Sequence, residues 1–304
     1  MNRSTSRNSK PANRSPLYST LWLAVTLLAY SPRPAFAQPN FPVGKQPLPG
    51  GILTRPSQNQ RKDSTSVLPK VAFAPGELLR YEVRYSFAKC AQVEFTTTDT
   101  VANGKRLYHH RISGYTTGLI HKLYPVSDIY HSYTDPSTDL PLRAIRNVHE
   151  QKYRDYKVDL YDRTPPLDSA SVTRENGQQV KVPLNTHCVV SVAYYIRNRL
   201  STMKLKEGSS LNIPLYFNAE FYPMKIRYTG QELVKTKFGK VLCYRFKPQV
   251  REGDLFKDQD ALTVWISTDD NHLPVRIKFE LFLGAMYCDL IGYKGLQYEM
   301  QVTR

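Results

Sequence analysis

Residues 76–95 read GELLRYEVRYSFAKCAQVEF. Leu79, Tyr81, Val83, Tyr85 and Phe87 share one phase of a two-residue period, and Arg80, Glu82, Arg84 and Ser86 share the other. Side chains alternate across a strand, so this pattern predicts a strand with one buried and one wetted face. The phase continues to Ala91, Val93 and Phe95, which puts Cys90 on the opposite face beside Gln92 and Glu94.

The same signal recurs downstream. RLYHHRISGYTT (106–117) follows the turn pair Asn103-Gly104, and AIRNVHEQKYRDYKVDLYD (144–162) reads as one long strand or a hairpin. SLNIPLYF, MKIRYTGQELVKT, VLCYRFKPQV, ALTVWIS, LPVRIKFEL, MYCDLIGY and LQYEMQV complete the series, with Thr268–His272 supplying turn chemistry. THCVVSVAYYIRNRL breaks the pattern. Val189, Val192, Ala193, Ile196 and Leu200 form a helical stripe, with Asn185 or Thr186 as cap and Arg197 and Arg199 at the negative end. The expected fold is therefore mainly β: a large curved antiparallel sheet or half-open barrel of roughly ten strands, with one packed α-helix over about 185–200.

Residues 1–37 have the organisation of a signal peptide. A basic leader precedes the apolar run Leu21–Tyr30, and Ala35 and Ala37 offer a small-residue cleavage site before Gln38. The run is too short to span a bilayer, so the cleaved chain is expected not to cross a membrane. Residues 38–70, rich in Pro, Gly and Gln, read as a flexible tether, and 71–304 as a single β-rich domain. Five basic residues and no acid lie in 1–37, so cleavage lowers the net charge from +16 to +11. A basic exported protein fits an anionic lipid or glycan surface and excludes nucleic acid as the expected partner.

Cys90, Cys188, Cys243 and Cys288 are an even set suited to two disulfides in an oxidising compartment. The favoured pairs are Cys188 with Cys243 and Cys90 with Cys288, and buried free thiols are the alternative. His149-Glu150 lacks a second histidine at the zinc-protease spacing, since that position is Tyr153. His109 and His110 face opposite sides of a strand, and no ligand spacing points to a metal or cofactor. Asp128, Asp135 and Asp139 could serve a hydrolase, although turn chemistry accounts for their spacing. The expected ligand surface is aromatic and cationic: Tyr81, Arg84, Arg111, Tyr130, Tyr194 and Arg197.

FAPGELLRYEVRYSFAKCAQVEF, HKLYPVSDIYHSYTDPSTDLPLRAI, HCVVSVAYYIRN with Ser191, Tyr194 and Arg197 in register, FGKVLCYRFKP and LTVWISTDDNHLPVRI occur in an order that resembles the uncharacterised domain-of-unknown-function family 3108. Lys89-Cys90-Ala91 and Cys188-Val189 depart from that pattern. The resemblance covers about residues 72–295 and implies an exported protein of a Gram-negative envelope, in the periplasm first and outside the cell second. It implies no reaction. A non-enzymatic role is expected, binding a lipid or glycan or helping envelope assembly. The alternatives are docking to another envelope protein and hydrolysis near Asp128.

Overall fold

The computed structural model describes residues 71–303, apart from 165–168 and 250–258. The expected signal peptide and tether lie outside these residues. Strands β1 (Leu78–Tyr85), β2 (Ala88–Ala102) and β3 (Lys105–Thr116) lead to a short helix, α1 (Gly118–Leu123). Next come β4 (Ser127–Thr134), β5 (Pro141–Glu150), β6 (Tyr153–Asp162), β7 (Ala170–Arg174) and β8 (Gln179–Val182). Helix α2 (Val189–Leu200) follows, then β9 (Ser210–Phe217), β10 (Glu220–Thr236), β11 (Gly239–Pro248), β12 (Leu262–Ser267), β13 (Pro274–Glu280) and β14 (Ala285–Lys294).

All fourteen strands form one antiparallel sheet, in the order β8-β7-β6-β5-β4-β3-β2-β1-β14-β13-β12-β11-β10-β9. Strands consecutive in sequence pair with each other, except β8 and β9, which end the sheet on opposite edges, and β1 pairs with β14 as well as β2. Tight turns join the hairpins. Asn103 (φ 51°) and Gly104 (φ 73°) adopt the left-handed conformation that matches the twist of flanking strands. A sheet of this width must curl to protect its edges. It forms a nearly closed barrel with β8 and β9 at the seam. The segment entering α2 bridges that seam: the His187 N–H donates to the Pro214 carbonyl at 2.8 Å, and the Tyr216 N–H donates to the His187 carbonyl at 2.9 Å.

Helix α2 lies inside, against β3, β4 and β9. Its Val190 and Tyr194 join the main core with Leu79, Tyr81, Val93 and Phe95, while Val192 and Leu200 pack on Ile213, Leu215, Ile226 and Phe246. Each fully buried aliphatic side chain contributes about 1.5–3 kcal/mol. The helix starts later than the sequence suggested. Cys188, not Asn185 or Thr186, is the N-cap: its sulfur accepts from the Ser191 N–H, and the Cys188 N–H donates to the Ser191 hydroxyl at 3.0 Å. The Thr186 hydroxyl instead donates to the Pro183 carbonyl.

The opening stretch is a hairpin rather than a single run. Ser86 turns with positive φ (54°), and Phe87 sits exposed at the tip. Val83 pairs with Ala91 and Arg84 with Lys89, so Cys90 is the extra residue of a β-bulge. That is why Cys90 and Ala91 are both buried, against the expectation that the cysteine faces outward.

The 144–162 stretch is the β5–β6 hairpin, turning at Gln151. LQYEMQV forms no strand, although Thr303, just beyond it, bridges Lys240.

The four cysteines are free and buried, which corrects the expected disulfides. Cys90 and Cys288 flank β1 on opposite sides, since Val83 pairs with both Ala91 and Cys288. Two strand spacings make about 9–10 Å, beyond the reach of a disulfide. Cys188 is engaged at the helix cap and with the Ser132 hydroxyl at 3.2 Å.

Candidate functional site

Register places a set of polar residues on the inner face of β4, β5 and β6. Tyr130 pairs with Arg146, which pairs with Lys157. In the next row Ser132 pairs with Ala144, Ala144 with Asp159, and Asp159 with Arg174. Directly opposed residues point to the same face, so these rows line the lumen together. Elsewhere the same face carries the apolar core.

A small open cleft lies where these rows approach the seam. Tyr130, Arg146, Lys157 and Asp159 form its sheet wall, Cys188–Val190 its helical wall, and Tyr216–Asn218 its third side. Asn218 turns with positive φ (49°) between β9 and β10. Its side-chain oxygen accepts from Arg146 Nη1 at 3.2 Å and Lys157 Nζ at 3.0 Å. Both cations also pair with Asp155, Arg146 through Nη2 and Lys157 at 3.1 Å. The Arg146 guanidinium lies 5.5 Å from the centre of the Phe217 ring.

Two buried donors at this cleft lack partners: Arg146 Nε and the Tyr216 hydroxyl. Buried polar atoms are nearly always satisfied, and these two share that lack with the core hydroxyls of Tyr81, Tyr161 and Tyr194. Burial raises the Asp159 carboxyl to about 6, against the opposing pull of Arg174 and Lys157.

Toward the same mouth, Asp128 is 1 % exposed and its carboxyl rises to about 6 through burial, although it accepts from the His149 N–H at 2.9 Å. Glu150 rises to about 7 through burial and then through the charge of Asp128.

The six residues expected to form one ligand surface are distributed over three settings. Tyr130 alone lines the cleft. Tyr81, Tyr194 and Arg197 are buried in the main body of the barrel. Arg197, at the far end of α2, clamps both oxygens of Glu77 at 2.7 Å and donates to the Asn271 and Ala72 carbonyls. Its guanidinium lies 5.4 Å from the Phe73 ring centre and 5.5 Å from that of Tyr194, and His110 stacks on Tyr194 at 3.7 Å. Arg197 is thus a structural clasp with no free donor direction toward a ligand. Arg84 is on the outer wall, paired with Asp289. Arg111 lies opposite His131 on the outer face. There His109 Nε2 sits 2.8 Å from His131 Nδ1, a contact that spacing along the chain did not reveal.

Arg146, Lys157, Asp159, Tyr216 and Asn218 were not singled out by the sequence. One signal was present. In β5 and β6 the phase that should be apolar carries Arg146, Asp155, Lys157 and Asp159, which marks a wall facing something other than hydrocarbon.

Fold and cleft together define a barrel-like protein with a helix-plugged lumen and a polar, aromatic mouth. The family model described as "Protein of unknown function (DUF3108)" matches residues 80–290, and the chain belongs to that family. Glu77 lies just before the matched span, and its partner Arg197 lies within it. No curated protein matches the chain. Among solved structures it is similar to a β-barrel-like protein of domain of unknown function DUF1849 from Brucella abortus. That match has 8 % identity and a TM-score of 0.49, and covers 72 % of this chain and 97 % of that one. It is also similar to a DUF1089 family protein from Pseudomonas aeruginosa, with 11 % identity and a TM-score of 0.28, over 71 % of this chain and 95 % of that one.

Proposed function

We propose that this is an exported, non-enzymatic binding protein of the cell envelope, and that the cleft beside β9 takes an oxygen-rich ligand of the saccharide class. The observation that carries this reading is the pair of unsatisfied buried donors, Arg146 Nε and the Tyr216 hydroxyl, set among Tyr130 and Phe217. Sugars are held by aromatic faces together with a few fixed donors and acceptors, and Lys157, Asp159 and Asn218 supply the rest of that set. A lipid tail is less well matched, because the lumen behind the cleft is filled by α2 and the core aromatics.

Hydrolysis at Asp128 has weak support. The residue is sealed from solvent, with one carboxyl oxygen accepting from the His149 N–H and the other buried without a partner. The outer wall carries Arg80, Glu94, Arg84 and Asp289 in ion pairs, unlike the apolar band of a barrel that crosses a lipid bilayer.

Native mass spectrometry and calorimetry against envelope oligosaccharides test the reading. Binding is expected, with Tyr216→Phe and Arg146→Lys each weakening it about tenfold, the scale of one lost hydrogen bond to a buried polar group. A clean apo mass in every preparation and no heat with any saccharide would overturn it.

A further inference from the structure

Six large apolar residues are at least 63 % exposed among the described residues: Phe87, Val101, Leu119, Leu123, Phe282 and Leu283. Five of them share one end of the barrel. Strand direction fixes this. β1 ends where β2 and β14 begin, so the β1–β2 and β13–β14 turns are neighbours, with Tyr85 opposite Met286. The Tyr85 hydroxyl donates to the Leu283 carbonyl and ties the two tips together. Phe87 crowns one turn, and Phe282 and Leu283 crown the other. Helix α1 comes next along the rim: the Thr117 N–H at its cap donates to the Cys90 carbonyl at 2.9 Å. α1 tucks Ile120 onto the core and leaves Leu119 and Leu123 outside. The β5–β6 turn follows, where the Gln151 N–H donates to the Pro125 carbonyl at 2.8 Å.

Among the described residues the rim also carries the acids Glu150, half-buried and raised to about 7 by burial, and Glu220, but its exposed charges outside ion pairs are basic. Lys122, Lys152 and Arg154 are exposed and form no ion pair among the described residues, while the rim acids Glu82 and Glu280 are matched by Lys89 and Lys278. Exposed apolar tips flanked by unpaired cations match an anionic bilayer surface: the tips enter the headgroup boundary and the cations meet phosphate.

We propose that this end of the barrel docks on an anionic lipid surface through Phe87, Leu119, Leu123, Phe282 and Leu283, with Lys122, Lys152 and Arg154 supplying the attraction. The inference is independent of the saccharide reading, since it uses no residue of the cleft. The cleft lies toward the same end, because the β9–β10 turn carrying Asn218 points that way.

The test uses residues 38–304, which keep every strand of the sheet and lack the apolar leader. Co-sedimentation with phosphatidylglycerol vesicles at low salt should exceed that with phosphatidylcholine vesicles, and salt should weaken it. Phe87→Ser with Phe282→Ser and Leu283→Ser should reduce binding about tenfold or more, and Lys122→Glu with Lys152→Glu severalfold. A second measurement does not depend on the combined variants. A polarity-sensitive dye on Phe87→Cys should shift to the blue on phosphatidylglycerol vesicles, while the same dye on Val101→Cys, at the opposite end, should not. No preference for anionic vesicles, equal binding by the serine variant, or a dye shift at both ends would overturn the proposal. So would a concentration-dependent dimer that the serine substitutions abolish, because the tips would then serve a second copy of the chain.

Discussion

Glu77 and Arg197 stand 120 residues apart and are each 2 % exposed. Removing one partner leaves the other charged and buried. Glu77→Ala should therefore cost about 3–5 kcal/mol in urea unfolding, whereas Glu77→Leu combined with Arg197→Met should recover most of that loss. Equal losses for the single and double variants would show that the clasp acts through shape rather than charge. Asp128 gives a second test at this scale. Its carboxyl is raised from 3.8 to about 6 in the folded chain, chiefly by burial. The folded state thus holds its proton more tightly than the unfolded state, and this group's contribution is full below about pH 4 and lost as pH rises through its folded value. Asp128→Asn keeps an acceptor for the His149 N–H and does not ionise. Its unfolding midpoint should rise relative to the native chain between about pH 4 and pH 7, and a difference flat in pH would contradict the assignment. Arg197 shows the limit of reading single residues. Its charge is visible in the sequence, and the carboxylate that consumes it is not.

Elements were legible where one face is apolar. β1 declares itself by Leu79, Tyr81 and Val83, and α2 by its helical period, although its buried face runs through Val190, Ser191, Tyr194 and Arg197 while Val189, Ala193 and Ile196 of the expected stripe are only half-buried. The reading failed where an irregularity moves the phase. Alternation alone continues smoothly through Ser86 and Cys90, because a two-residue turn and a one-residue bulge together preserve the parity of the apolar positions. The free cysteines follow from the same cause: the pairing of strands across β1, not the spacing of thiols, sets their separation. The close approach of Gly295 to Gly76 is also local and testable. Gly295 has positive φ (66°), and a β-carbon there would lie 2.4 Å from the Gly76 carbonyl oxygen. Gly295→Ala should lower stability by about 1–3 kcal/mol. Gly104→Ala, also at positive φ (73°) but with nothing within 4 Å, should cost less. Thermal melts of the two variants separate the clash from the backbone strain.

The whole sheet was foreseen as curved and antiparallel, but its strand order was not. Periodicity reports which face a strand buries and says nothing about which distant strand lies beside it. The sheet closes through β1 and β14 at its centre, so deleting residues 285–304 removes the partner of both β1 and β13. The shortened chain should show no cooperative urea transition and should aggregate through its opened edges, rather than fold with a modest loss. Burial of all four thiols gives a complementary readout: a thiol reagent should find none in the native protein and four after unfolding, and fewer than four would restore a disulfide. The pairing at the centre also sets a clock. Arg84 must wait for Asp289, 205 residues later, before its strand gains its second neighbour. At about 5–20 residues per second of synthesis, that interval is about 10–40 s. A nascent chain of this design therefore carries a half-paired strand for most of its production, and a factor that shields such an edge would find its substrate there.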